Sequence, residues 1–366
     1  MMTDSPLSTE RVFKGLARSI GGTPLLAIQC SFRGHSRTLF AKAEHLNPTG
    51  SIKDRIALHV LRAAYDAGNI HAGFGIVEAT KENTAIAFSA IGRALGHPVT
   101  VFVPDWMSDE RKSLIRSFGA TTVPVTHEGG GFPGSVSIAN ERTEGEGDIF
   151  LPHQFSKTAN CAAHEQSTGP EIWYQLKARD LRPDAFVAGV GTGGTVLGVG
   201  RFLRLKDPSV RVHPLEPRQS PTLSTGCKVG KHRIPGISDE SISGIPDLRS
   251  LDSVIQVSDG DAILMAGALA AKLRLGVGVS SGANFLGALL VQEELGPDSA
   301  VATVFPDDSR KYLSTHLLGG EPIRDDFISP EVELLGYDIL RRSCRTCSDL
   351  EECRHWADAG FDPREA

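Results

Sequence analysis

Ala185-Phe186-Val187-Ala188 runs into Gly189-Val190-Gly191-Thr192-Gly193-Gly194-Thr195, and Val196-Leu197-Gly198-Val199-Gly200-Arg201-Phe202-Leu203 follows. A short apolar run bounded by glycine reads as a buried strand, and the segment after the glycines reads as a helix. Glycines ahead of a helix let backbone N–H groups converge on an anion, and the helix terminus adds its own attraction. Phosphate is the usual guest of such a loop. Gly189, Gly191 and Gly194 also satisfy G-x-G-x-x-G, and Glu216 lies 22 residues further on. A dinucleotide reading therefore stands beside the phosphate reading at this point.

The same alternation extends outward. Gly75-Ile76-Val77-Glu78-Ala79 predicts a strand leading into a helix from Asn83 to Leu95, and Val99-Thr100-Val101-Phe102-Val103 predicts a strand ahead of a helix from Ser108 to Phe118. Short strands separated by helices imply parallel sheets with crossover connections, an α/β class. The glycine-rich stretch Gly129–Gly134 carries no motif and reads as a loop.

Asn47-Pro48-Thr49-Gly50-Ser51-Ile52-Lys53-Asp54-Arg55 is the second informative run. Pro48 and Gly50 mark a turn, Ser51 is placed to cap a helix, and Asp54 stands three residues on in a capping-box-like position. Apolar residues at 52, 56, 60, 63 and 67 keep near-helical spacing until Gly68. Lys53 thus falls in the first helical turn, where exposed N–H groups disfavour an ammonium and favour a neutral amine able to form an imine.

With 366 residues, 40% hydrophobic and 22% charged, the chain can bury a full core. A net charge of −6 without a basic block argues against a nucleic-acid partner. No apolar run approaches the ~20 residues that span a bilayer. The N-terminus shows no charged n-region or apolar h-region, so the expected location is cytoplasmic.

Ile20-Gly21-Gly22-Thr23-Pro24-Leu25, the Lys53 run, Asn83-Thr84, Gln154-Phe155, Thr168-Gly169-Pro170-Glu171-Ile172-Trp173, the glycine loop, Glu216-Pro217, Ser280-Ser281-Gly282-Ala283, Phe305-Pro306-Asp307 and Tyr312-Leu313-Ser314-Thr315 follow one another in order. This collinear set resembles the fold type II pyridoxal 5′-phosphate (PLP) enzymes, in the cysteine synthase and cystathionine β-synthase family. A dehydrogenase needs neither the lysine run nor the serine pair, so the dinucleotide reading gives way.

The resemblance implies two lobes, each a mostly parallel twisted sheet flanked by helices. Residues 47–155 would form the smaller mobile lobe, 13–44 and 156–318 the larger PLP-binding lobe, and 319–366 a C-terminal extension. Lys53 would hold the cofactor as an imine and act as base at the substrate Cα. Gly191, Thr192, Gly193, Gly194 and Thr195 would bind its phosphate, Asn83 its ring oxygen, and Ser281 its pyridine nitrogen. A neutral hydroxyl there makes a weaker electron sink than a carboxylate would, which favours loss of a β-leaving group over transamination. Thr80, Thr84 and Gln154 would hold the substrate carboxylate, with Gly236 beside it.

The implied reaction is β-replacement, through an aminoacrylate, on an activated serine such as O-acetylserine or O-phosphoserine. A sulfur nucleophile would give cysteine or S-sulfocysteine. Related reactions giving cystathionine or a diaminopropionate-type product, and a catalytically weak PLP-binding sensor or partner protein, stand as alternatives. The expected partners are the amino acid substrate and a sulfur donor, in a homodimer, with neither nucleic acid nor membrane.

Three departures from the family pattern fall on its active-site loops. Thr80-Lys81-Glu82-Asn83-Thr84-Ala85 replaces Thr-Ser-Gly-Asn-Thr-Gly, placing Glu82 where a substrate carboxylate belongs. Ser238-Asp239-Glu240-Ser241 follows Gly236-Ile237 where Ala-Gly-Phe commonly stands after a glycine, and Asp308-Ser309 replaces Ser-Gly. These larger and charged side chains are expected to shrink the cavity and change its polarity. Finally, Cys344, Cys347, Cys353 and His355 lie within 12 residues. Zinc, an iron–sulfur cluster, a Cys344–Cys347 disulfide and free thiols all fit that spacing.

Overall fold

The computed structural model describes residues 8–80, 83–126, 128, 131–145, 148–152, 157–227, 229–238, 250–315 and 320–340. In chain order, the first half gives α1 (Thr9–Ser19), β1 (Leu25–Phe32), β2 (His35–Lys42), α2 (Lys53–Asp66), β3 (Gly75–Ala79), α3 (Asn83–Ala94), β4 (Val99–Pro104), α4 (Asp109–Ser117), β5 (Thr121–Val125), α5 (Gly131–Gly145) and β6 (Ile149–Phe150). The second half gives α6 (Lys157–Ala163), α7 (Gly169–Lys177), β7 (Ala185–Gly189), α8 (Gly194–Lys206), β8 (Arg211–Pro217), α9 (Thr222–Thr225), β9 (Ile255–Val257), α10 (Asp259–Leu273), α11 (Val279–Leu295), β10 (Val301–Val304) and β11 (Val332–Leu340). A π-helical turn, His164–Thr168, joins α6 to α7.

The strands form two sheets, ordered β11-β1-β2-β10-β7-β8-β9 and β5-β4-β3-β6. Neighbours are parallel from β2 to β9 and throughout the smaller sheet. The β1–β2 hairpin and β11 are antiparallel additions. Arg33 and Gly34 close the hairpin with φ of 51° and 79°, the left-handed pair of a type I′ turn, whose twist matches that of the flanking strands.

Both faces of each sheet are covered, which explains why β7 is apolar at successive positions rather than at alternate ones. On the larger sheet, Phe285, Leu286 and Leu289 of α11 pack with Ile28, Val187 and Leu215. Ile172, Val199 and Leu203 of α7 and α8 pack with Phe186 and Val212 on the other face. Phe186 and Phe285 are fully buried, and burying a side chain of that size stabilises by about 1.5–3 kcal/mol. On the smaller sheet, α2, α3 and Phe13 of α1 cover one face, while Ala139 of α5 covers the other.

The predicted strands and helices around 75–118 and 185–203 are present. The stretch 129–134 is not all loop, because α5 starts at Gly131. Packing of Ala139 against Val77, Phe102 and Val125 supports that helix where its glycines do not. Within 319–366, residues 332–340 form the edge strand β11 against β1.

The larger sheet reverses its winding at β7. α8 carries the chain from β7 to β8 across one face, whereas α11 covers the opposite face and leads into β10, the other neighbour of β7. Such a reversal opens a crevice at the carboxyl ends of the two strands, where open α/β sheets bind ligands. Asn284 of α11 spans it: Gly189 N donates to Asn284 Oδ1 (2.8 Å), and Asn284 Nδ2 donates to the Val304 carbonyl (2.8 Å).

Candidate active site

Lys53 opens α2 at this crevice, half-buried, because the turn before it is docked on the exit of β10. Ile52 N donates to the Pro306 carbonyl (2.8 Å), while the Gly50 carbonyl accepts from Asp308 N (3.1 Å) and from Lys311 Nζ (2.9 Å). Gly50 has φ +76°, and a Cβ there would lie 2.0 Å from Asp308 Oδ2. The turn therefore requires glycine both for its left-handed backbone and for its clearance.

The expected capping box is not formed. Ile52 occupies the position before the helix, Ser51 bridges to Asp307, and Ser51 Oγ accepts from Lys53 N at 3.3 Å. Asp54 turns back to Thr49 instead, accepting from its N (2.8 Å) and from its hydroxyl. Burial pushes the Asp54 carboxyl up to about 6, against those two hydrogen bonds. Gly68 follows the end of α2 with φ +71°, the terminating role its sequence position predicts.

The glycine loop leaves β7 and enters α8 through Gly193, whose φ is +78°. Gly194 lies so close to Asn160 that a Cβ would fall 1.9 Å from its Oδ1. Asn160 Nδ2 donates to Thr192 Oγ1 (2.7 Å), so α6 holds the loop from below. His164 sits beneath it with Nε2 3.3 Å from Thr195 Oγ1 and Nδ1 2.9 Å from Thr168 Oγ1. Burial, with the positive charge of Arg55, pushes His164 down to about 3, so the imidazole is neutral and bridges the two hydroxyls as one donor and one acceptor.

One cavity gathers Lys53, Asn83, Gly191, Thr192, Gly193, Gly194, Thr195 and Gly236, together with Ser280, Asn284 and Asp307. Thr80, Thr84 and Ser281 are buried and do not line it. Gln154, Lys81, Glu82, Asp239, Glu240 and Ser241 lie outside the described residues, as do Cys344, Cys347, Cys353 and His355. Among the described residues, no group of three or more His, Cys, Asp or Glu side chains is placed to hold a metal.

The cavity holds about 60 Å³, against about 300–1,000 Å³ for typical ligand clefts. A wider groove of about 380 Å³ runs between α1, α2 and the π-helical turn. None of the residues expected from the sequence to form the site lines it.

Asp308 does not narrow the cavity as expected. Its carboxylate caps the 3-10 turn Ser309–Tyr312, accepting from Arg310 N (2.9 Å) and the Arg310 guanidinium (2.9 Å). Neither Asp308 nor Ser309 reaches the cavity wall. Glu216, the acidic residue of the dinucleotide pattern, is likewise committed. It accepts from Leu223 N (2.6 Å) and Ser224 Oγ (2.5 Å), capping α9.

Beneath the site, four charges alternate in sign, the buried Lys42, Glu44 and Arg55 and the partly buried Glu171. Arg55 donates to Glu44 Oε1 and Oε2 (2.7 Å each) and to Glu171 Oε1 and Oε2 (2.8 Å each), and Lys42 lies 2.7 Å from Glu171. Thr23, Asn47 and Gly22 complete the hydrogen bonding around the two carboxylates. The cluster ties the segment around Gly22, the helix of Lys53 and α7 into one unit. The sequence showed its members only as separate motif positions.

The residues present fit PLP. The glycine loop at the start of α8 lines the cavity where a phosphate would meet a helix N-terminus, and Lys53 lines the same cavity. Among the described residues, the buried Asn83 Oδ1, on a residue lining the cavity, and the buried Ser281 Oγ have no hydrogen-bond partner, a costly state that a bound ligand relieves at Asn83. A fold type II α/β architecture with such a site defines a class of PLP enzymes, and the comparisons agree. Residues 16–307 match the model of the pyridoxal-phosphate dependent enzymes, and the chain belongs to that family, in its cysteine synthase and cystathionine β-synthase branch.

A cysteine synthase of Staphylococcus aureus is 37% identical over 302 residues, covering 82% of this chain and 96% of that protein. The crystal structure of a hydrogen sulfide-producing enzyme from Fusobacterium nucleatum is 51% identical, covers 91% of this chain and 99% of its own, and superposes with a TM-score of 0.88. An O-acetylserine-dependent cystathionine β-synthase from Helicobacter pylori is 31% identical over 86% of this chain and 99% of its own, with a TM-score of 0.74.

Proposed function

We propose that this chain catalyses β-replacement on an activated L-serine, O-acetylserine or O-phosphoserine, with a sulfur nucleophile, forming cysteine or S-sulfocysteine. The observation that carries the reading is that Lys53, Asn83 and the Gly191–Thr195 loop share one cavity at the winding reversal. The likeness to cysteine synthases along most of the chain supports it. When bound, PLP supplies an electron sink conjugated to the substrate Cα.

In this reading the protein's own groups bind and move protons. The N–H groups of Gly191–Thr195, at the start of α8, hold the phosphate by hydrogen bonds and helix dipole. Lys53 would hold the cofactor and, once free, its amine would take the proton from the substrate Cα. Asn83 binds the ring oxygen. Ser281, whose hydroxyl has no partner among the described residues, would face the pyridine nitrogen without placing a charge there. Thr80, Thr84, Gln154 and Gly236 hold the substrate carboxylate and orient the β-leaving group.

Residues 47–155 are the smaller, moving lobe in this proposal, and the narrow cavity is its closed state. The working unit is a cytoplasmic homodimer, as the family resemblance implies.

The test is the visible absorption of PLP-loaded protein titrated with O-acetylserine, then O-phosphoserine. A band that shifts with one of them and returns on adding sulfide or thiosulfate identifies the leaving group and the reaction. A band that responds to neither refutes β-replacement on these serines.

A further inference from the structure

Asn160 and His164 stand one helical turn apart beneath the glycine loop, and neither lines the cavity. Asn160 belongs to α6, and His164 opens the π-helical turn that continues it. Such turns are rare and gather at functional sites. α8 lies directly against this one: a Cβ at Gly198 would come 2.3 Å from the Cys161 carbonyl oxygen and 2.8 Å from His164 Cβ. That close approach seats the fully buried His164 under Thr195, with Nε2 3.3 Å from its hydroxyl oxygen.

The neighbours of His164 fix the direction of its hydrogen bonds. Thr168 is fully buried, and among the described residues its hydroxyl meets no acceptor but His164 Nδ1 (2.9 Å). A buried donor left unpaired is costly, so Thr168 gives its proton to Nδ1. The neutral imidazole then carries its own proton on Nε2, which donates to Thr195 Oγ1. Asn160 Nδ2 donates to Thr192 Oγ1 (2.7 Å) in the same sense. Both threonines line the cavity. Their hydroxyls accept from below and keep their own protons to give.

We propose that His164 is a positioning residue that commits the Thr195 hydroxyl to donate into the cavity, so that the glycine loop meets the cofactor phosphate with a side-chain donor as well as backbone ones. This rests on the PLP reading of the cavity. With the opposite sense, the Thr195 proton would go to the imidazole and the hydroxyl would turn a lone pair on the anion. The relay from Thr168 through His164 to Thr195 therefore favours an anionic group at the loop over a neutral one.

Two measurements test this. Nitrogen NMR of the histidine rings in the full-length protein, with His164 assigned by the shift that Thr195→Val imposes on it, should show a proton on Nε2 and none on Nδ1. Calorimetric titration of the apoprotein with 4′-deoxypyridoxine and with its 5′-phosphate, neither of which can form an imine, gives the preference for the phosphate ester. Thr195→Val should cut that preference about tenfold, the size of one hydrogen bond to a charged group. His164→Leu should cut it about threefold by leaving the hydroxyl free to turn elsewhere, and should change nothing further in the Thr195→Val background.

A proton on His164 Nδ1 overturns the proposal, and this needs no change at position 164. A preference unaltered by Thr195→Val overturns it as well, as does a His164→Leu protein that loses affinity for both ligands alike, because His164 would then support the fold without directing the hydroxyl. Wild type with no preference for the phosphate ester refutes the phosphate reading of the loop itself, whichever nitrogen of His164 carries the proton.

Discussion

Arg55→Met should be among the most damaging single changes outside the cavity. Arg55 makes four charged hydrogen bonds of 2.7–2.8 Å to two carboxylates, one of them fully buried. With Arg55 and Lys42 against Glu44 and Glu171, the buried cluster is neutral; without Arg55 it holds one uncompensated negative charge. Breaking a buried pair in this way costs about 3–5 kcal/mol. Replacing Glu44 and Arg55 together by methionine leaves Lys42 paired with Glu171 and restores neutrality. The double variant should therefore lose less than the sum of the singles, with a coupling of about 1–3 kcal/mol.

Urea unfolding of the apoprotein, followed by far-ultraviolet circular dichroism at pH 7, measures all three variants. Burial raises both carboxyls, but the cations beside them hold Glu44 and Glu171 below the usual range. Their contribution is thus fully present above the unfolded value of about 4.3 and lost progressively as pH falls from there through their lower folded values. Arg55→Met should flatten that acid limb. A cost under about 1 kcal/mol, or strict additivity of the two changes, would refute the reasoning.

Three further outcomes follow from the geometry. Gly194→Ala would put a Cβ 1.9 Å from Asn160 Oδ1 and push Asn160 off Thr192, the contact that holds the glycine loop, so PLP binding should weaken about tenfold; equilibrium dialysis against PLP reads this. Gly50→Ala, at φ +76° and against Asp308, should destabilise by about 1–3 kcal/mol in thermal and urea melts. Glu78, buried and among the described residues hydrogen-bonded by the Ala79 N–H, is pushed up by burial to about 8. Folding then requires proton uptake between about pH 4.3 and that value, so stability falls as pH rises across the window. Glu78→Gln should remove this slope from the urea midpoints, and an unchanged slope would place it in another group.

The alternation of strands and helices, the glycine loop and Lys53 were legible because each depends on local pattern. Buried strands are apolar, and a phosphate loop needs glycine. What stayed hidden depends on contacts between distant residues. Arg55 and Glu171 are 116 positions apart, and nothing near either announces the pairing. Asp54 and Asp308 misled for a related reason. Each sits beside a helix or turn start, but which N–H its carboxylate takes depends on how the Gly50 turn docks against the exit of β10. Asn284 and Asp307, on the wall of the cavity, carried no local signal beyond standing near the serine pair and in Phe305-Pro306-Asp307.

The alternating charge cluster also governs the order in which the molecule can be completed. Lys42 and Glu44 leave the ribosome early, yet the carboxylate that neutralises Lys42 belongs to α7, encoded far downstream. Until α7 docks, closing the larger sheet over Lys42 would strand an ammonium in a dry interior. The first 60 or so residues therefore cannot settle as an independent piece, and the two sheets consolidate together once residue 171 is in place. A chain cut before α7 should remain unfolded and exposed to proteases rather than persist as a stable half-molecule.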